Sequence, residues 1–273
     1  MLTIAFIKTI VMLLSTLFYK TPLPIITFIL LILVVLFYIL GAKIGNYKKL
    51  HNPDGKAVGI GPLEGALLGL LSLLLSFTFG LSSSRYDARR TLVVQEANDI
   101  SSVISNTDLY ADTIKKQFKK DLQEYVETRI AYYEADDDAI INKTLLNAGK
   151  ISGRIWNRVT TLSKNYPDFV RDNQMIPAVS KMTDIVVSRD ASRLGTVPNL
   201  VVYLLIILTV LGSFIIGYSK EERKNDWIIL SLYSVMTIMT IYTILDLDRP
   251  RRGIIQTATP HEKIDELRNC FKE

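Results

Sequence analysis

Between Glu64 and Asp99 the chain passes, without a proline, from a stretch suited to a bilayer to one suited to water. From Gly65 to Ser84 it carries no ionisable side chain, and a helix of that length rises about 30 Å, the thickness of a bilayer core. This predicts a transmembrane helix. Gly65, Gly69, Ser72, Ser76, Gly80 and Ser83 recur at steps of three and four and share one face, while Leu67, Leu70, Leu71, Leu74, Leu75, Phe77, Phe79 and Leu81 cover the others. Two readings of the small-residue stripe are open. The simpler is close packing against another helix. The other repeats the stripe around an oligomer axis, so that Gly69, Ser72, Ser76, Gly80 and Ser83 line a pore constricted at Phe77 or Phe79.

The helix leaves the bilayer through Arg85, Asp87, Arg89 and Arg90 and continues through Leu92, Val93, Glu96, Ala97 and Ile100 at helical spacing. It therefore becomes part of whatever follows. The 273 residues are 49% hydrophobic and yet 22% charged, with a formal charge of +5; such a chain is part membrane-embedded and part soluble. Residues 85–198 hold nearly balanced acidic and basic side chains, which argues against the basic face that nucleic-acid binding needs. One cysteine, Cys270, excludes an internal disulfide, and two histidines far apart, His51 and His261, offer no metal-ligand cluster. No Walker loop, GxGxxG, HExxH or nucleophile elbow occurs. Neither an enzyme nor a cofactor is indicated.

Residues 1–20 are apolar around Lys8 and lack a signal-peptidase site; they read as an interfacial helix, with a further span as the alternative. Residues 25–42 predict a span, followed by a basic loop with Lys43, Lys48, Lys49 and Lys56. Residues 58–84 complete the first pair, with Glu64 at a first turn where the helix dipole favours a carboxylate. Residues 85–198 predict a helical soluble domain: Ile114, Phe118, Leu122, Tyr125, Val126, Ile130 and Tyr133 form one apolar stripe, Ile151, Ile155, Val159 and Leu162 a second, and Ile176, Val179, Met182 and Ile185 a third. The acidic run Glu134–Asp138 lacks the spacing and glycine of an EF-hand and reads as a solvated turn. Residues 199–218 and 227–246 predict the second pair of spans, and 247–273 a basic C-terminal tail. The fold class expected is an all-α membrane protein: four transmembrane helices in two pairs flanking a helical soluble insert, plus the N-terminal helix.

Two blocks, SRYDARRTLVVQEAND at Ser84–Asp99 and LDLDRPRRGIIQ at Leu245–Gln256, with the order two spans, helical insert, two spans, resemble the bestrophin-like domain family of bacterial and plant membrane proteins. The likeness covers roughly residues 25–270. Bestrophins are oligomeric anion channels whose spans enclose a pore narrowed by hydrophobic residues, so the resemblance implies that residues 65–84 face such an axis. Animal bestrophins hold calcium on an acidic run after the final span. Here Arg249, Arg251 and Arg252 stand at that place, and calcium gating does not carry over.

Read from the residues themselves, Asp246 and Asp248 beside Arg249, Arg251 and Arg252 are a salt-bridged helix end reaching toward Arg85, Arg89 or Arg90; the alternative is a ring of arginines that concentrates anions at a pore mouth. Glu96 belongs with either. The expected function is an oligomeric, anion-conducting channel lined by residues 65–84, with lipid, further copies of the chain and small inorganic anions as partners. The competing expectation is a membrane-anchored scaffold or sensor without a pore. Lys and Arg near the span ends place the soluble domain on the cytosolic side of a bacterial inner membrane by a small margin.

Overall fold

The computed structural model describes residues 21–51, 61–135, 137–219, 227–249 and 258–272. Among them all regular structure is helical: α1 (Leu23–His51), α2 (Gly61–Asn106), α3 (Asp112–Glu134), α4 (Asp138–Asn165), α5 (Phe169–Leu194), α6 (Asn199–Ser219), α7 (Trp227–Leu247) and α8 (Ala258–Asp265), with 3₁₀ turns at Thr107–Leu109 and Glu266–Phe271. Helices α1, α2, α6 and α7 contain the stretches long and apolar enough to cross a membrane. The protein is an all-α membrane protein with two pairs of spans flanking a helical insert in sequence. The segment read as an interfacial helix, residues 1–20, lies outside the described residues.

The chain divides into two compact units, one of residues 1–84 and 196–254, the other of residues 85–195 and 255–273. The boundary falls inside α2, which is one continuous helix of 46 residues. Pro62 in its first turn costs no intrahelical bond, and Glu64 in the same turn meets the positive end of the dipole.

In the membrane-spanning unit, α1 packs along α6 and, less extensively, α7. Leu30, Val34 and Tyr38 of α1 are buried against Val202 and Val210 of α6 and Ile241 and Leu245 of α7. The α1–α6 contact is a contact of backbones. A Cβ added to Gly41 would collide with the Phe214 carbonyl oxygen, one on Gly217 with that of Tyr38, and one on Gly45 would stand 2.6 Å from that of Tyr218. GAKIG at residues 41–45 is thus the close-packing motif of this unit. Leu71, beside Leu74 and Leu75, brings α2 against Leu205, Leu208 and Ile244.

The basic residues Lys43, Lys48 and Lys49, expected in a loop, belong to α1. No glycine or proline falls between Gly45 and Pro53, and a lysine carries its charge to water on a long stem, so the helix continues past the end of the apolar run. The Lys48 ammonium lies 5.9 Å from the centre of the Tyr218 ring.

In the second unit, the later part of α2 contributes Val93, Ala97, Ile100, Val103 and Ile104 to a core completed by Phe118, Leu122 and Val126 of α3, Ile151, Ile155 and Val159 of α4, and Met175, Val179 and Met182 of α5. Each large apolar side chain taken from water there contributes about 1.5–3 kcal/mol. The helix starts are capped. Asp137 accepts from the Ala139 N–H (2.9 Å) and Asp168 from the Arg171 N–H (3.0 Å), each satisfying an orphan donor. The acidic turn before α4 therefore works as a helix cap.

The stretch read as a basic tail is ordered where it is described. Ile264 and Leu267 enter the same core, and Arg268 donates to both Glu127 oxygens at 2.8 and 2.6 Å. Ile264, Leu267 and Phe271 keep helical spacing, but the run is short and dilute among charges.

Substituting Gly41 or Gly217 with alanine drives a Cβ into backbone that cannot turn aside, a cost of about 1–3 kcal/mol or more. The expected outcome is a clear loss of thermal stability in detergent for Gly41→Ala and Gly217→Ala, followed by fluorescence size-exclusion chromatography, with Gly69→Ala unchanged because nothing among the described residues lies within 4 Å of its Cβ position.

Candidate functional site

The stripe on α2 faces outward. Gly65, Gly69, Ser72, Ser76 and Gly80 are exposed and Ser83 is half-buried; Cβ atoms built on Gly65, Gly69 and Gly80 meet nothing within 4 Å. Among the described residues, no side chain or backbone atom of another helix comes within 4 Å of those Cβ positions. The buried side of this part of α2 is Leu71, Thr78 and Ser82. Phe77 (69% exposed) and Phe79 (42%) stand outward on either side of the stripe. Ser72 donates to the Leu68 carbonyl at 2.8 Å, so its hydroxyl is satisfied by its own helix and asks nothing of lipid.

The charged residues after the span separate by burial. Asp87 and Arg90 are exposed, Arg85 is half-buried and Arg89 is buried. Glu96 is fully buried in the core of the second unit, accepting from Arg129 Nε, from Arg189 Nη1 (2.5 Å) and from the Tyr133 hydroxyl (2.5 Å). Tyr133 is ringed further: the Arg189 guanidinium lies 4.3 Å from its centre and His261 stacks on it at 4.3 Å. Glu96 is thus an ion-pair residue inside the insert, and its partners Arg129 and Arg189 escaped the sequence reading. A signal existed. Arg129 occupies an inward position of the α3 stripe, between Val126 and Tyr133, where a charge must have a buried partner.

At the far end of α7 the carboxylate of Asp248 serves the backbone. Both oxygens of Asp248 accept from the Val197 N–H, at 3.0 and 2.9 Å, just ahead of α6. Arg249 Nη1 donates to the Thr21 carbonyl at 2.7 Å, just ahead of α1. Asp246, Asp248 and Arg249 are all buried in the membrane-spanning unit, and Asp248 and Arg249 pin the approach to α6 and the start of α1 to the end of α7. Arg249 is 6% exposed. Arg251 and Arg252 lie outside the described residues.

Asp99, one turn beyond Glu96, is partly buried. Burial raises its carboxyl above the ordinary 3.8, Lys181 opposes the rise and Glu96 adds to it.

These features define a multi-pass helical membrane protein with an outward small-residue face and an ionic core in its insert. The chain belongs to the Bestrophin-like domain family, whose pattern matches residues 60–259. No curated protein sequence gave a match. Among solved structures it is similar to a bacterial bestrophin homologue from Klebsiella pneumoniae: one crystal structure has a TM-score of 0.69 at 12% identity, over 89% of this chain and 96% of that one. Two point variants of that homologue give 0.70 at 12% identity, over 92% and 97%, and 0.67 at 13%, over 90% and 98%. At that identity the likeness is one of fold.

Glu96→Gln removes the carboxylate shared by two guanidinium groups, and is expected to cost about 3–5 kcal/mol of the insert's stability, read as a fall in Tm. Asp99 has the opposite sign. The folded state holds its proton more tightly than the unfolded chain, so its contribution is favourable at acid pH and is lost as pH rises through its folded pKa, above 3.8. Asp99→Asn is expected to raise Tm at pH 7, with the gain vanishing as the pH approaches 3.8.

Proposed function

We propose that the protein is an oligomeric ion channel, selective for small inorganic anions, with its pore lined by residues 65–84 of α2. The observation that carries this reading is the outward stripe of Gly65, Gly69, Ser72, Ser76 and Gly80, which no helix among the described residues covers. Against lipid such a face offers few packing atoms and a line of hydroxyls. Around a symmetry axis it forms a narrow, weakly polar conduit, and Phe77 or Phe79 supplies a constriction that gates by dewetting. Family membership supports the same reading.

The absence of ionisable groups from residues 65–84 fits a path that passes ions without binding them tightly, since conduction needs weak sites. Anion preference would come from the arginines Arg85, Arg89 and Arg90 that follow the span, through the potential they set up. The lipid bilayer and further copies of the chain are the partners of this reading, a bacterial inner membrane its place, and the cytosol the side of the insert. It needs no cofactor, nucleic acid or catalytic step.

The test is chloride efflux from liposomes holding purified protein whose oligomeric state has been fixed by cross-linking. Flux is expected from the wild type, and Ser76→Leu is expected to lower it about tenfold by extending the apolar constriction while the oligomer remains intact. A stable oligomer with no anion flux would sink the proposal. A closed dimer with Ser72 and Ser76 in a dry contact would transfer the function to the insert, as a membrane-anchored scaffold or sensor.

A further inference from the structure

Between α4 and α5 of the insert lies a cavity of about 480 Å³, with the fully buried Tyr125 of α3 at its bottom. Small residues on α4 account for the space. Ala148, Gly149 and Ser152 put little side chain into it, and a Cβ built on Gly149 meets nothing within 4 Å. Across from them α5 presents Val186, Val187 and Leu194. Val187 is 71% exposed and Leu194 64%, so the mouth of the cavity is apolar and open to water. Its volume is that of a small-molecule site.

The polar side chains of the lining are all of one kind. Ser152 donates its hydroxyl hydrogen to the Gly149 carbonyl at 3.1 Å, Thr183 to that of Val179 at 2.9 Å and Tyr125 to that of Met182 at 3.3 Å. Each oxygen is left with lone pairs alone to offer. Asp190 is the one charged side chain in the lining, and a carboxylate only accepts. Arg193 Nε engages one of its oxygens at 3.0 Å, and the same guanidinium faces Asp138 at 3.5 Å, so one cation serves two carboxylates. A molecule that fits this cavity must bring the donors itself, and a positive charge with them.

We propose that the cavity binds a small organic cation, a compact apolar body that carries a primary ammonium. The body lies against Ala148 and Gly149 and takes the exposed surface of Val187 and Leu194 out of water. The ammonium donates to Asp190 and to the hydroxyl oxygens within its reach, and hydrogen bonds from a charged donor to a carboxylate are of the strong class. A carboxylate or phosphate on the same body meets acceptors with acceptors and is turned away. No residue of the proposed conduction path takes part.

The probe is 1-aminoadamantane, a hydrocarbon cage with one ammonium at neutral pH, and the control is adamantane-1-carboxylate, the same cage with the opposite charge. Full-length protein in detergent is titrated with each at constant ionic strength, so that screening is unchanged, and Tm is followed. A saturable rise of the order of 5 °C is expected for the amine, and none for the carboxylate. Gly149→Leu fills the cavity from a position with open space around its Cβ; it is expected to fold as the wild type does and to abolish the rise. Asp190→Asn keeps the shape without the charge, and most of the rise is expected to go with it. An equal rise with the carboxylate, or a rise that survives either substitution, would overturn the proposal. So would no rise at all, the outcome expected if a second copy of the chain covers the cavity in the oligomer. These readouts do not involve flux, so the result stands whether or not the liposomes conduct.

Discussion

A peptide group inside a bilayer has no water to bond to, and that constraint governs how α2 is built. Its 46 residues keep one unbroken ladder of hydrogen bonds from Gly61 to Asn106, a length of about 70 Å. What changes along it is only the side chains. Leucine, glycine and serine give way to arginine, glutamate and aspartate, while the backbone notices nothing. Hence the hydroxyls of Ser72 and Thr78 turn back onto their own helix carbonyls, and Glu96, far along the same ladder, meets its partners inside the insert.

Small residues do two different things in this protein, and the difference is set by what stands opposite. At Gly41, Gly45 and Gly217 the missing Cβ is the contact, since the facing atoms are carbonyls of the neighbouring backbone. At Gly65, Gly69 and Gly80 the missing Cβ faces open space. The same residue type in the same spacing thus serves a close helix contact in one helix and faces open space in another.

This distinction was beyond the sequence, and the reason is physical. Periodicity reveals which residues share a face but not what approaches it, so the stripe on α2 drew the eye and GAKIG did not. Spans and amphipathic helices were legible because each rests on a local pattern: the apolar run Asn199–Ser219, and the spacing of Phe118, Leu122, Tyr125 and Val126. Ion pairs were not, because Glu96 finds Arg129 and Arg189 across three helices. Asp248 was read as a partner for arginine. Its carboxylate accepts from the Val197 backbone N–H, and a bond to backbone leaves no trace in composition. The C-terminal helix was hidden for a related reason, since Ile264 and Leu267 are too few to outweigh the charges around them.

The glycine contact between α1 and α6 sets a schedule for biosynthesis. Gly217 leaves the ribosome long after Gly41, and at about 5–20 residues per second the interval is roughly 10–35 s. Through that time the notch in α1 stands in the bilayer without the helix shaped to fill it. The insert, encoded between the two, emerges first and assembles most of its own core meanwhile, lacking only the piece around Ile264. The membrane-spanning unit therefore closes after the insert is already mostly made.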